Sequence, residues 1–436
     1  MGGSAFADPS NPAAHLLTPR MPAHIYEHVR GRALRIIRTF YVQAECPIEA
    51  PSKPDFGDVD ILVASPHNQA DTTAASLAAA LGAVRYKSNK PTSNFALRWP
   101  SAGELNGVLP STCTKDDLGA HRDDTASESA GTQRYIQLDL HVCQTPEHFQ
   151  WELFHQAHGD LWSILGGMIR PCGLVVNHTG LHLRLDGVDG IAKDRRTILL
   201  TTSSSAVLRH LDLDEASYWR PFESVDAMFA YAASCRFYNP QAYEGRDDLK
   251  ANDRQKMKKR PMFMKWYDVY LQEHKGDAPG RSAGMERQEV IEEAKEVFDV
   301  GAEYEEKRKQ GLRKMGMDKV WSDIRKGLPV EGLRIGVIMR GVKREVVGRV
   351  LTADVDELAN ETGLALEKTV RNNVDSLSDV QRAYVDGRFE KVAQWVKADW
   401  EGIELRQHAY EREQSTKHLL AKIERGKAKT EVVRGD

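Results

Sequence analysis

The chain has 436 residues and a mass of 48.9 kDa, a length that suits two or three domains. A net charge of −3 excludes a globally basic nucleic-acid binder, and 41% apolar residues suffice for a sizeable core. No apolar run approaches the roughly 18 residues that a membrane span requires. Met1–Pro22 lacks the basic start and apolar run of a secretory signal. The five cysteines (Cys46, Cys113, Cys143, Cys172, Cys235) lie 29 or more residues apart. That spacing argues against a CxxC zinc site and a disulfide framework, so the cytoplasm or nucleus is the expected location.

Met1–Pro22 is rich in Pro, Ala and Ser and reads as disordered. Ala23–Tyr41 carries Ile25, Val29, Leu34, Ile37 and Phe40 as a helical stripe. Asp58–Ala64 reads as a strand, and Ala70–Leu81 as a helix stopped by Gly82. Arg85–Lys87 and Asn94–Trp99 suggest further strands, and Ser101–Gln133 reads as an insertion loop. Tyr135–Cys143 alternates as a strand should. Pro146–Ile169 reads as helical. Leu174–Asn177 and Leu181–Leu185 flank a hairpin turn at His178-Thr179-Gly180. Thr197–Leu200 is a short strand, and Thr201-Thr202-Ser203 offers hydroxyls to cap a helix through Leu211. Ser224–Ser234 is another helix, and Pro261–Leu271 is aromatic enough to be packed.

Residues 241–436 hold 76 of the chain's 123 charged side chains, nearly balanced in sign, which marks a compositional boundary. Glu286–Met315 reads as a charged helix and Leu377–Gly426 as containing long helical segments, because oppositely charged residues at helical spacing support one another. The predicted organisation is a disordered segment 1–22, a first α/β or α+β domain 23–150, a second α+β domain 151–275, and a charged helical region 276–436.

The sharpest local pattern is Gly57-Asp58-Val59-Asp60-Ile61. On a strand, residues i and i+2 face the same way, so Asp58 and Asp60 project together. Two like charges on one strand face repel unless a cation lies between them, and Asp is a poor strand former. A hard divalent cation bound through oxygen is the simplest account, with a solvated strand end as the alternative. Gly57, lacking Cβ, permits close approach of a phosphate or of backbone. Gln137-Leu138-Asp139-Leu140-His141-Val142 sets another acid in an apolar strand, with His141 on the same face. Such an acid needs a metal or a basic partner. If the two strands are neighbours, three carboxylates converge and can hold two magnesium ions roughly 3.5–4 Å apart.

With these residues the chain resembles the DNA polymerase beta-type nucleotidyltransferase superfamily, in particular its uncharacterised fungal and phage branches. The likeness spans roughly residues 25–240. It rests on SKPDFGDVDILV and IQLDLHV, with Asp58 and Asp60 matching the paired acids and Asp139 the third. The resemblance implies an α+β fold: a nucleotidyltransferase-type mixed β-sheet flanked by helices, with residues 151–275 as the other wall of the cleft. It implies Asp58, Asp60 and Asp139 as catalytic metal ligands for two Mg²⁺ ions, with Mn²⁺ as a substitute. A nucleoside triphosphate such as ATP would lose pyrophosphate as a hydroxyl attacks its α-phosphate. The family's Gly-Ser before the paired acids is missing, so Ser52 and Lys53 are the nearest substitutes, with Gly57, for nucleotide binding; they also fit a Pro-flanked turn.

Lys87 and Lys90 are further phosphate-binding candidates, and the KMKKRP run is a candidate for nucleic acid or an import receptor. His178 reads as a turn residue. No P-loop motif occurs. The acceptor stays open among an RNA end, a nucleotide, a protein and a small molecule. The alternative function is a catalytically inactive nucleotidyltransferase-like scaffold, or a nucleic-acid or protein interaction protein. A PD-(D/E)xK nuclease is disfavoured because Leu140 and His141 follow Asp139.

Overall fold

The structure, a computed structural model, describes residues 3–7, 15–105, 133–189, 192, 195–240, 260–347 and 378–433. The expected insertion loop, Cys113 and the basic run before Arg260 lie largely or wholly outside these residues. By packing, the chain divides into two compact units: Met1–Arg184 with Leu199–Gly301, and Leu185–Ile198 with Ala302–Asp436.

The first unit is α+β. Strand β1 (Met21–Pro22) leads into helix α1 (Ala23–Ile37), which ends short of the predicted Tyr41. The chain turns there into β2 (Tyr41–Glu45), an edge strand that alternation did not disclose. Its Val42 is 64% exposed, so β2 lacks the buried alternation that betrays an inner strand. After the short β3 (Asp55–Phe56), β4 (Asp58–Pro66) runs through the sheet centre. Helix α2 (Ala74–Leu81) starts four residues later than predicted. Thr73 caps it by accepting a hydrogen bond from the Ser76 amide, and Gly82 ends it in the left-handed region at φ +68°. Strands β5 (Arg85–Asn89), β6 (Thr92–Arg98) and β7 (Tyr135–Val142) complete a mixed sheet of order β2-β4-β7-β6-β5. The expected neighbours β4 and β7 are adjacent and parallel; the other pairs are antiparallel.

Alternation gives the two sheet faces different fates. Val59, Ile61 and Val63 of β4 and Ile136, Leu138 and Leu140 of β7 are fully or almost fully buried against α1 and α2. Each such side chain contributes about 1.5–3 kcal/mol relative to exposure. On the opposite face, Leu62 and Ala64 are covered by Phe149 and Leu153. These belong to α4 (Pro146–Gln156), which follows a four-residue turn of helix, α3 (Ala102–Leu105). The cover stops at that end of β4, so the Asp58 end of the same face is left for polar groups.

The unit continues through α5 (Leu161–Ile169) and the antiparallel hairpin of β8 (Leu174–Asn177) and β9 (Gly180–Arg184), joined at His178-Thr179 as expected. Strand β10 (Thr197–Thr201) pairs with β9, and Ser203 caps α6 (Ser204–His210). Helices α7 (Glu215–Tyr218) and α8 (Val225–Ala233) follow. Residues 261–273 are helical with a π-turn at Trp266–Tyr270; Trp266 and Leu271 are buried, matching the expected packing. Helix α9 (Arg287–Val297) closes the unit, and its Glu293 pairs bidentately with the buried Arg236 at 2.6 and 2.7 Å.

Glu286–Met315 is not one helix. Asp299, at φ +52°, breaks it between α9 and α10 (Gly301–Gly327). The second unit is helical over its described residues beyond 301: α10, α11 (Leu333–Val347), α12 (Asp379–Val385) and α13 (Phe389–Val433), the last kinked at Asp399. Its core gathers Ile338, Val342, Val392, Val396 and Ile403. Among the described residues no helix is long and apolar enough to cross a membrane, and the four described cysteines are free.

Candidate metal centre

Asp58 and Asp60 leave β4 on the face not occupied by α1 and α2. Parallel pairing with β7 sets Asp60 directly opposite Asp139 and Asp58 opposite Gln137. Because neighbouring strands lie about 4.8 Å apart, that register forces the carboxylates together. Each of the three acids offers an oxygen, and these oxygens lie within 4.8 Å of one another. Asp58 and Asp139 are half-buried and Asp60 is exposed.

All three carboxyls are raised, burial being the largest cause at each. Burial, then Asp58, Asp139 and Glu49, push the Asp60 carboxyl up to about 7, with Lys53 opposing. Asp60 lines an open cleft, so it is exposed to water while the neighbouring protein and charges still act on it. Burial followed by Asp139 raises Asp58, while the Gly3 amide and Lys53 pull it back. Burial also raises Asp139, against hydrogen bonds from Asn94 and Gln137. Asn94 Nδ2 donates to Asp139 Oδ1 at 2.7 Å, and Gln137 Nε2 donates to Oδ1 and Oδ2 at 2.9 and 3.0 Å.

An open cleft of about 150 Å³ adjoins the acids, lined by Asp60, Asp139, Thr92, His141 and Gln156 among others. His141 shares the face of Asp139 and its Nδ1 bonds with Thr92 Oγ1 at 3.1 Å. Burial lowers the His141 pKa, which favours the neutral ring. On α4, Gln156 donates to the buried Glu152, which also meets His148 at 3.3 Å.

The chain matches no family model and no curated protein.

The donor set fits a magnesium ion: three hard oxygens on a rigid sheet, with no sulfur or imidazole among the convergent three. The proposed nucleotide-binding residues lie in the loop that leads into β4. Ser52 is exposed at φ +54°. Lys53 Nζ is 2.8 Å from Glu49 and 4.6 Å from the Phe56 ring centroid. Tyr26 stacks on Phe56 at 3.9 Å and donates to Glu49 at 2.8 Å, so this loop is firmly seated. Gly57 is buried, and its carbonyl is approached by Gly3. Lys87 stands in the same cross-strand row as Asp60, Asp139 and Asn94. Asn94 and Gln137 escaped the sequence reading. Gln137 could have been found, since it alternates with Asp139 in QLD; Asn94 depends on the β6–β7 register.

Proposed function

We propose that the chain is a magnesium-dependent nucleotidyltransferase of the DNA polymerase beta type, moving a nucleoside monophosphate from a nucleoside triphosphate to a hydroxyl acceptor. The observation that carries this reading is the Asp60–Asp139 register with Asp58 two residues away, which gathers three carboxylates at one sheet face beside a cleft. Asp58, Asp60 and Asp139 would hold the metal. Bound magnesium supplies Lewis-acid chemistry, lowering the pKa of a hydroxyl and offsetting negative charge on phosphate oxygens.

The chain's own residues do the rest. Asn94 and Gln137 donate to Asp139 and fix its orientation. The Lys53 charge lowers the Asp58 and Asp60 carboxyls, an influence suited to a triphosphate with Ser52 and Gly57 in the same loop. Thr92, His141 and Gln156 line the cleft in which the acceptor would sit.

One observation favours the inactive-scaffold alternative: the Lys53 ammonium is already engaged by Glu49. Incubating the protein with α-phosphate-labelled nucleoside triphosphates, magnesium and cell extract separates the two readings. Label transfer by the intact protein, lost in Asp139→Asn, supports the enzyme. No transfer from any of the four triphosphates, with no stabilisation by them, supports the scaffold.

A further inference from the structure

The acid face is crossed by a piece of chain whose composition reads as disorder. Of residues 1–22, positions 1–2 and 8–14 lie outside the described residues, but 3–7 and 15–22 are firmly attached. Phe6 is 1% exposed and Met21 is fully buried. The Gly3 amide donates to Asp58 Oδ2 at 3.2 Å, and the Ala5 amide donates to Gln137 Oε1 at 2.8 Å. Gln137 in turn donates through Nε2 to Asp139. A backbone N–H can only donate, so the Ala5 contact fixes which end of the Gln137 amide is oxygen. The other end must then be the NH₂ that faces Asp139. Gln137 is 3% exposed, so water is not at hand to replace either bond. Two backbone amides therefore reach two of the three acids, one directly and one through Gln137.

The segment is pinned at several points. Lys87 Nζ donates to the Ala5 carbonyl at 2.6 Å and lies 5.6 Å from the Phe6 ring centroid. The Thr18 hydroxyl donates to the Gly3 carbonyl, and the Leu16 amide donates to the Phe6 carbonyl at 3.2 Å. Gly3 has φ +81°, and a Cβ there would lie 2.8 Å from the Gly57 carbonyl oxygen and 3.3 Å from that of Thr18. Only glycine fits without moving the segment.

We propose that residues 3–6 form a positioning strap, which holds Asp58 and, through Gln137, Asp139 in the orientation that binds a divalent cation. This rests on the metal-centre reading above. Carboxylates that ligate metals are themselves held by outer hydrogen bonds, whose loss costs about 10–100-fold in metal affinity. The strap does not fill the cleft beside Asp60 and Asp139, which no strap residue lines; a plug over Asp58 is the rival outcome of the test below.

The test is titration of the metal-free full chain with Mn²⁺, read by the electron paramagnetic resonance of free and bound ion. Gly3→Ala, Phe6→Ala and Phe6→Leu perturb the strap, and Asp60→Asn perturbs the site. Gly3→Ala and Phe6→Ala are expected to weaken Mn²⁺ binding about 10-fold or more, with the bound-ion signal broadened or altered. Phe6→Leu, which keeps an apolar anchor, is expected to retain most of the affinity. Thermal melts of the metal-free variants separate a lost strap from a lost fold. Unchanged affinity in both Gly3→Ala and Phe6→Ala, with Asp60→Asn still abolishing binding, overturns the strap but leaves the metal centre standing. Tighter binding identifies a plug instead. If the unaltered chain binds no Mn²⁺, or binds it equally well as Asp60→Asn, the metal-centre reading fails and the strap falls with it.

Discussion

Asp60→Asn removes a charge that the metal-free fold disfavours, so it is expected to stabilise the apoprotein. The Asp60 carboxyl, ordinarily at 3.8, is pushed up to about 7 by burial and by Asp58 and Asp139. At about 1.36 kcal/mol for each pH unit of that separation, the ceiling is about 4 kcal/mol. Asp60 is exposed, and screening by water reduces the effect to about 1–2 kcal/mol. The native state binds the extra proton, so stability falls as pH rises between the unfolded and folded values. Relative to Asn, the aspartate is equal below about pH 4, loses ground from there to about pH 7, and stays behind above it. At about 2–4 °C per kcal/mol for a unit of this size, Asp60→Asn raises the metal-free melting midpoint at pH 8 by about 2–8 °C. At pH 4 the two proteins melt together. Magnesium reverses the order. At a concentration 100 times its dissociation constant it stabilises the unaltered protein by about 2.7 kcal/mol, and the variant by little. The assay is differential scanning calorimetry at pH 4 and pH 8, with chelator and with magnesium. A lower midpoint for Asp60→Asn at pH 8 in chelator would instead make Asp60 a structural ion-pair partner whose charge stabilises the fold.

Leu138→Ala, on the buried side of β7, is expected to cost about 2–5 kcal/mol in denaturant unfolding through the cavity it leaves; a cost under 1 kcal/mol would contradict the packing described. Arg236→Ala strands Glu293 beside a buried site and is expected to cost about 3 kcal/mol, at the low end for a broken buried pair because Glu293 is partly exposed; urea titration reads it. A chain ending at residue 280 lacks Glu293, so it is expected to melt lower than one ending at 301, which keeps the whole first unit's second segment. Equal midpoints would show that α9 adds nothing. Thr73→Ala removes the α2 cap and is expected to cost about 1 kcal/mol.

How legible the site was depended on whether the signal is local. Asp58 and Asp60 share a face because of backbone geometry two residues apart, so their pairing could be read directly. Asp139 was legible as an acid with no local partner, and its adjacency followed from the need to share one. Asn94 was not, because its role depends on the antiparallel register that brings β6 alongside β7. Edge strand β2 was missed for a related reason: half its side chains face water, so alternation carries little contrast. The strap was misread because its composition is that of disordered chain, while its attachment comes from one buried ring, Phe6, and from backbone amides that composition does not record. Asp299 ended a helix in a conformation more often given to glycine, and nothing in the run of charges around it marks that break. The core of the helical second unit rests on spaced apolar positions such as Val392, Val396 and Ile403, which are sparse among the charges that dominate the region.

Whether the three acids hold a metal is read from a crystal of the full chain soaked in manganese, with anomalous scattering used to locate the ion. A peak is expected on the acid face of β4 and β7, with an oxygen from each of Asp58, Asp60 and Asp139 within about 2.0–2.6 Å of a bound ion. A crystal with no peak there, its three carboxylates instead paired with lysine or arginine side chains, would contradict the metal centre.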